Sequence, residues 1–196
     1  MRALPACAVL ILFAAVAAVG CTATSGAAPR ANVTPMPSVS AGTGSATPLS
    51  SRDTAFLGGA ANAAQFEIEG GKLASSRATD QRVRQFGSRM VRDHEQGYQR
   101  LRALGQQLGV TVSAALTSQQ RDILRIWSSL RGGPFSCSYT PVQYLGHAGV
   151  VAAFESEARL GGNQRIRDFA TSELPTLQGH LDMASQNLTR LNCAAA

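Results

Sequence analysis

The chain of 196 residues holds three histidines and one lysine, and aromatic side chains make up 6% of it. Each scarcity excludes something. With no aromatics interleaved among the basic residues, there is no platform for stacking bases, and an exported, tethered chain rarely meets nucleic acid, so nucleic acid is not among the expected partners. No Gly-x-Ser-x-Gly nucleophile elbow occurs, which removes the usual hydrolase signature. No Glu-x-x-His pair occurs, so the donor spacing of di-iron carboxylate bundles is missing. No alternating apolar pattern of any length occurs, which leaves an all-α fold. Positive charge is nearly all arginine: Lys and Arg number 18 against 12 Asp and Glu, a net charge of +6. Arg77, Arg82, Arg84, Arg89, Arg92, Arg100 and Arg102 gather on or beside one expected helix, as the solvated face of an amphipathic segment.

The first residues look like an export signal. Met1-Arg2 is followed by an apolar run from Ala3 to Val19, the length of a signal peptide's apolar region and short for a membrane span. The run ends in Ala18-Val19-Gly20-Cys21. Small residues directly before a cysteine resemble the lipobox of bacterial lipoproteins, with Ala18 where leucine is favoured. Residues 1–20 are therefore expected to be a signal peptide and Cys21 to be lipidated. Several acyl chains would hold the chain firmly, since each buried methylene contributes about 0.8 kcal/mol. Thr22 follows the cysteine in place of an inner-membrane retention aspartate. In a Gram-negative host this favours the outer membrane, facing the periplasm. Residues 21–51 are rich in Thr, Ser, Ala, Gly and Pro and cannot bury enough surface to order themselves. They form a tether with a span of roughly 30 Å. Residues 52–193 make one domain.

Within that domain the spacing predicts helices over about 53–77, 80–108, 118–130, 140–160 and 164–191. Asp53 is the expected first cap, Thr79-Asp80 the second and Asn163 the last. Thr117-Ser118-Gln119-Gln120 has the form of a capping box. Gly132-Gly133-Pro134 is expected to stop the short helix, and Thr140-Pro141 to open the next long one. Pro175 falls inside the last helix, where a kink is expected. Two hairpins joined by a long connection make a four-helix bundle with a ferritin-like crossover that carries the short extra helix. The two cysteines left after export, Cys137 and Cys193, lie near helix ends that antiparallel neighbours bring together, in a compartment where a disulfide persists. They are therefore expected to pair, unless a fourth helix several residues longer than the third carries them past the roughly 7 Å Cα limit.

The three histidines all fall on apolar seams: His94 between Met90 and Leu101, His147 between Tyr144 and Val151, and His180 between Leu177 and Ala184. Counted from the hairpin turns at about 1.5 Å per residue, they share a mid-bundle band with Glu67 and Glu173. Neutral imidazoles and carboxylates suit iron, zinc or copper. Asp93, Glu69, Glu155 and Tyr144 are nearby residues able to orient such ligands. Asp93 and His94 are adjacent and are expected to face different ways; Glu173 and His180 are two turns apart. Two readings stay open: a metal site of Glu67, His94, His147, Glu173 and His180, or a hydrogen-bonded polar layer that fixes helix register.

Several stretches carry a resemblance: Phe66-Glu67-Ile68-Glu69-Gly70-Gly71-Lys72-Leu73-Ala74, Phe86-Gly87-Ser88-Arg89-Met90-Val91-Arg92-Asp93-His94, Tyr144-Leu145-Gly146-His147, Phe169-Ala170 and Leu174-Pro175-Thr176-Leu177, with His180 following. In this order and spacing they resemble the bacterial ferritin-like family known as domain of unknown function 4142. The resemblance implies an exported four-helix domain and no established reaction. The chain departs from the family at Phe135-Ser136, where Phe-Asp is frequent, and at Ala148, where an acidic residue often follows the histidine. Two functions are therefore carried forward. One is a non-enzymatic, lipid-anchored envelope protein with a structural, stress or interaction role among envelope proteins. The other is a metal-binding or oxidoreductase-like bundle.

Overall fold

The computed structural model describes residues 48–191 and 193. The expected signal peptide, Cys21 and all of the tether before Pro48 lie outside the described residues. Five helices follow one another: α1 (Ser51–Arg77), α2 (Gln81–Gln107), α3 (Ser118–Ser129), α4 (Gly132–Leu160) and α5 (Gln164–Arg190). Among the described residues there is no strand, and no helix is long and apolar enough to cross a membrane.

The caps explain most of the boundaries. Asp80 accepts from Arg82 N and Val83 N at the start of α2, and Asn163 accepts from Arg165 N at the start of α5. Thr117 and Gln120 close the capping box of α3. Gly109, at φ +71°, takes the left-handed conformation that ends α2. Two starts differ from expectation. Helix α1 is capped by Ser50, and Asp53 is the reciprocal member of a capping box, its amide donating to Ser50 Oγ at 3.0 Å. Asp53 also accepts from the amide of Gly162 at 2.9 Å, so the same carboxylate ties the α4–α5 turn to the start of α1. Helix α4 begins at Gly132, not at 140, and Pro141 lies inside it. Pro134 sits in its first turn, where no amide donor is needed, and Gly132 turns the chain at φ +60°. The signal read as a stop is also a start.

Helices α1 and α2 form one hairpin and α4 and α5 the other; α1 packs on α4, and α2 on α5. The turns mark the ends. Gly132 lies against Thr79, at the α1–α2 turn, whereas Gly162 lies against Ser50 and Asp53. The two hairpin turns are therefore at opposite ends, and every neighbouring pair is antiparallel. This is the ferritin-like crossover, with α3 lying along it. Trp127 of α3 is fully buried, its ring 5.4 Å from Phe66 and 5.0 Å from Tyr139. Because α4 starts early, Cys137 lies one turn inside it, level with the end of α5. Cys137 and Cys193 form a disulfide with a Cα separation of 5.5 Å.

In the first hairpin the helices nearly touch. A Cβ on Gly71 would sit 2.7 Å from the Gly87 carbonyl oxygen, so both positions require glycine at this separation. The core divides around the middle. Phe66, Phe86, Met90, Phe135 and Tyr139 fill one end. Leu57, Leu101, Leu104 and Ile166 fill the other, beside Val151, Phe154, Ala170 and Leu177. All three histidines lie between these groups along their helices.

Candidate metal centre

His94 comes from α2, His147 from α4 and His180 from α5. Their ring centroids are 5.8 Å apart for His94–His147, 5.1 Å for His94–His180 and 5.4 Å for His147–His180. One ring nitrogen from each lies within 4.8 Å of the others. His180 is fully buried, His147 is 1% exposed and His94 is 8% exposed.

The hydrogen bonds fix which nitrogens carry the proton in two of the rings. The backbone carbonyl of Gln143 is acceptor-only and lies 3.0 Å from His147 Nδ1, so that nitrogen carries the proton and Nε2 is the lone pair. Asp93 Oδ2 lies 2.8 Å from His180 Nε2. Its carboxyl is held below the ordinary aspartate range: bonds from His180 and Arg89 outweigh the opposing effect of burial. It is therefore an acceptor, and His180 Nδ1 becomes the lone pair. Among the described residues no group bonds His94 Nε2, His147 Nε2 or His180 Nδ1, and all three atoms are buried.

Burial disfavours the imidazolium in all three rings, and repulsion among them adds to this at His94 and His147. His147 is pushed down to about 4, and His94 goes well below its ordinary value. His180 is lowered by burial, with Asp93 opposing. Near neutral pH the three rings are uncharged, the form in which imidazole ligates a metal.

Among the described residues, the cluster of possible ligand atoms holds the three imidazoles and neither of the two expected carboxylates. Glu173 is bound by Arg100, Nε to Oε1 at 2.8 Å and Nη2 to Oε2 at 2.9 Å. Glu67 is buried on the α1 side, near Gln143, Tyr139 and Gly146, and its Oε2 has no hydrogen-bond partner. Burial pushes the Glu67 carboxyl up to about 8, with Gln143 opposing.

Asp93 does orient His180, although it was expected to face away from His94. Adjacent helical residues diverge by about 100°, and His180 sits in the α2–α5 seam where both reach it. Glu69 instead pairs with Lys72 at the surface, and Tyr144 packs with the aromatic end of the core. The acceptor role of the Gln143 carbonyl had a sequence signal, because Gln143 precedes His147 by one helical turn.

A cavity of about 30 Å³ adjoins the trio. His94, His180, Asp93, Gly97, Tyr98 and Glu173 are among the residues that line it. It has room for a water or two, which need roughly 10–15 Å³ each. Zinc–imidazole bonds of about 2.0–2.1 Å place ligand nitrogens about 3.4 Å apart. The trio would close by a modest rotation of the rings, leaving a fourth position toward this cavity.

The family model for the domain of unknown function DUF4142 matches residues 38–186. Among solved structures, the chain is similar to a DUF305 fragment from Deinococcus radiodurans, with a TM-score of 0.65 and 12% identity, over 74% of this chain and 100% of that one. That likeness concerns the fold alone. No curated protein matches the sequence.

Proposed function

The chain belongs to the DUF4142 family of domains of unknown function, and for this member we propose a metal-binding domain of the cell envelope that holds one transition-metal ion on His94, His147 and His180. The observation that carries this reading is the fixed polarity of the rings. In His147 and His180 one nitrogen donates to a carbonyl or carboxylate, which leaves the other as a buried lone pair in a cluster of three imidazoles. Metal-ligating histidines are oriented in this way. A register-fixing polar layer would instead be expected to bond its members to one another, since a buried polar atom without a partner costs about 1–3 kcal/mol.

Three neutral imidazoles favour zinc and copper over magnesium or calcium, and copper(II) binds such sites most tightly of the first-row divalent ions. Iron is the third ion to test, with Asp93 as the nearest fixed negative charge. The protein's own work in this reading is holding the ion, and no reaction is assigned.

Metal-free protein titrated with Zn²⁺, Cu²⁺ and Fe²⁺ should take up one equivalent of at least one ion. At a hundredfold excess over the dissociation constant, binding should stabilise the fold by about 2.7 kcal/mol. A melting temperature that ignores all three ions would overturn the reading.

The same proposal places the domain on a membrane through a lipid on Cys21, with a tether between Cys21 and Pro48 giving it reach toward envelope partners. The apolar run ending at Cys21 and the absence of aspartate at Thr22 support an outer-membrane address in a Gram-negative host. Cys21→Ser should move the domain from the membrane fraction to the soluble one. Retention on membranes would show that the anchor lies elsewhere.

A further inference from the structure

Glu173 lines the cavity beside the histidines, and Arg100 binds it from the exposed side. The cavity beside the trio is lined by His94 and His180 and also by Gly97 and Glu173. Glu173 precedes His180 by two turns of α5, about 10 Å along the axis. Its side chain is 9% exposed, while the Arg100 side chain bound to it is 50% exposed. The carboxylate therefore points inward and the guanidinium caps it from outside.

Gly97 makes this possible. A Cβ at that position would lie 3.1 Å from Glu173 Oε2, so a side chain there would crowd the carboxylate away from α2. His94, Gly97 and Leu101 share one face of α2, and Glu173, Leu177 and His180 share one seam of α5. Glu173 and the imidazoles of His94 and His180 thus line one cavity, which α1 and α4 also line. A carboxylate set before three neutral nitrogens concentrates cations at the mouth, and a bidentate arginine balances its charge until a cation replaces it.

Resting on the metal-binding reading above, we propose that the Arg100–Glu173 pair is the gate of the metal centre. Glu173 is the first contact of an incoming metal cation, and Arg100 is the counter-ion that the cation displaces. Glu173 acts as a positioning residue for loading and stays outside the final ligand set. A cation held by Glu173 moves on to the histidines, and Arg100 closes behind it.

Zinc uptake by metal-free protein can be timed in a stopped-flow against a chromophoric chelator, with the equilibrium constant measured separately. Glu173→Gln should slow uptake about tenfold at low ionic strength and leave the dissociation constant within threefold of the parent. Arg100→Gln should speed uptake several-fold. Because it leaves a carboxylate without its partner, the double variant Arg100→Gln/Glu173→Gln serves as a neutral control for folding. It should load at the slow rate of Glu173→Gln. Parent-like uptake rates in Glu173→Gln and the double variant would overturn the gate alone. So would a rate and an affinity that fall together in Glu173→Gln, which would make Glu173 a ligand. Absence of zinc uptake by the parent protein would overturn the metal-binding reading, and the gate with it.

Discussion

Replacing His147 with leucine is expected to abolish metal binding and, at the same time, to leave the metal-free bundle at least as stable as the parent. The affinity should fall by at least about a hundredfold. Loss of a partner that merely orients a ligand already costs 10–100-fold, and here a ligand itself is removed. The stability side follows from where the polar atoms point. His147 Nε2 is buried and has no protein partner, so its removal relieves a desolvation penalty of about 1–3 kcal/mol. Its Nδ1 bond goes to the carbonyl of Gln143, one turn back in the same helix. His94 and His180 make no hydrogen bond to it, so neither is orphaned. Leucine is apolar and of similar volume, and it adjoins Val151 and Phe154, whose cluster is already apolar. Urea denaturation of metal-free protein, paired with metal titration, reads both quantities. If the layer exists to fix helix register, the variant should instead lose stability by 2 kcal/mol or more, with no metal effect to lose. A site that loses function and gains stability together is the mark of residues kept for binding.

The helices were legible because their ends carry explicit chemistry. Thr117 with Gln120, Asp80 and Asn163 are caps whose side chains can satisfy only amides at a helix start, and Gly109 suits a left-handed stop. The start of α4 was not legible. Glycine and proline together read as a break, and only the turn against Thr79 shows the break to be the first turn of the next helix. That one boundary also decides the disulfide, because it sets Cys137 opposite Cys193.

The site divides along the same line. Seam position and depth were enough to bring three histidines from three helices into one layer. Which carboxylates join them depends on azimuth and side-chain direction, which residue counting does not supply. Glu173 shares the band, but its charge is met by Arg100, which lies 73 residues away in sequence. Asp93, which the sequence offers as a residue able to orient a ligand, fixes His180 while facing a different way from His94.

Glu67 explains why the band is hard on the fold as well as useful to it, and it sets a second large effect. Its carboxyl is buried beside Tyr139 and Gln143 and titrates at about 8, against an ordinary value of 4.5. Between those values the folded chain keeps a proton that the unfolded chain releases. The stability contributed by that proton is complete below about pH 4.5 and is lost as pH rises to about 8, at about 1.4 kcal/mol per pH unit. The histidines act with the opposite sign: their values are lowered from 6.5, so their contribution is lost as pH falls below that. In the lower range the two effects oppose each other. Above about pH 7.5 the histidines are neutral in both states, and the Glu67 slope emerges. Glu67→Gln keeps the shape and removes the proton. Its stability should match the parent's within about 1 kcal/mol at pH 4.5 and exceed it by a few kcal/mol at pH 8.5, with the difference growing steadily between. Urea midpoints taken across this range, in the presence of a chelator, give that difference directly. The subtraction cancels Glu157, whose carboxyl is also raised by burial and by Asp53. A difference that stays flat with pH would mean that Glu67 is ionised in the folded state. The α1 side of the band would then carry a fixed negative charge next to the histidines.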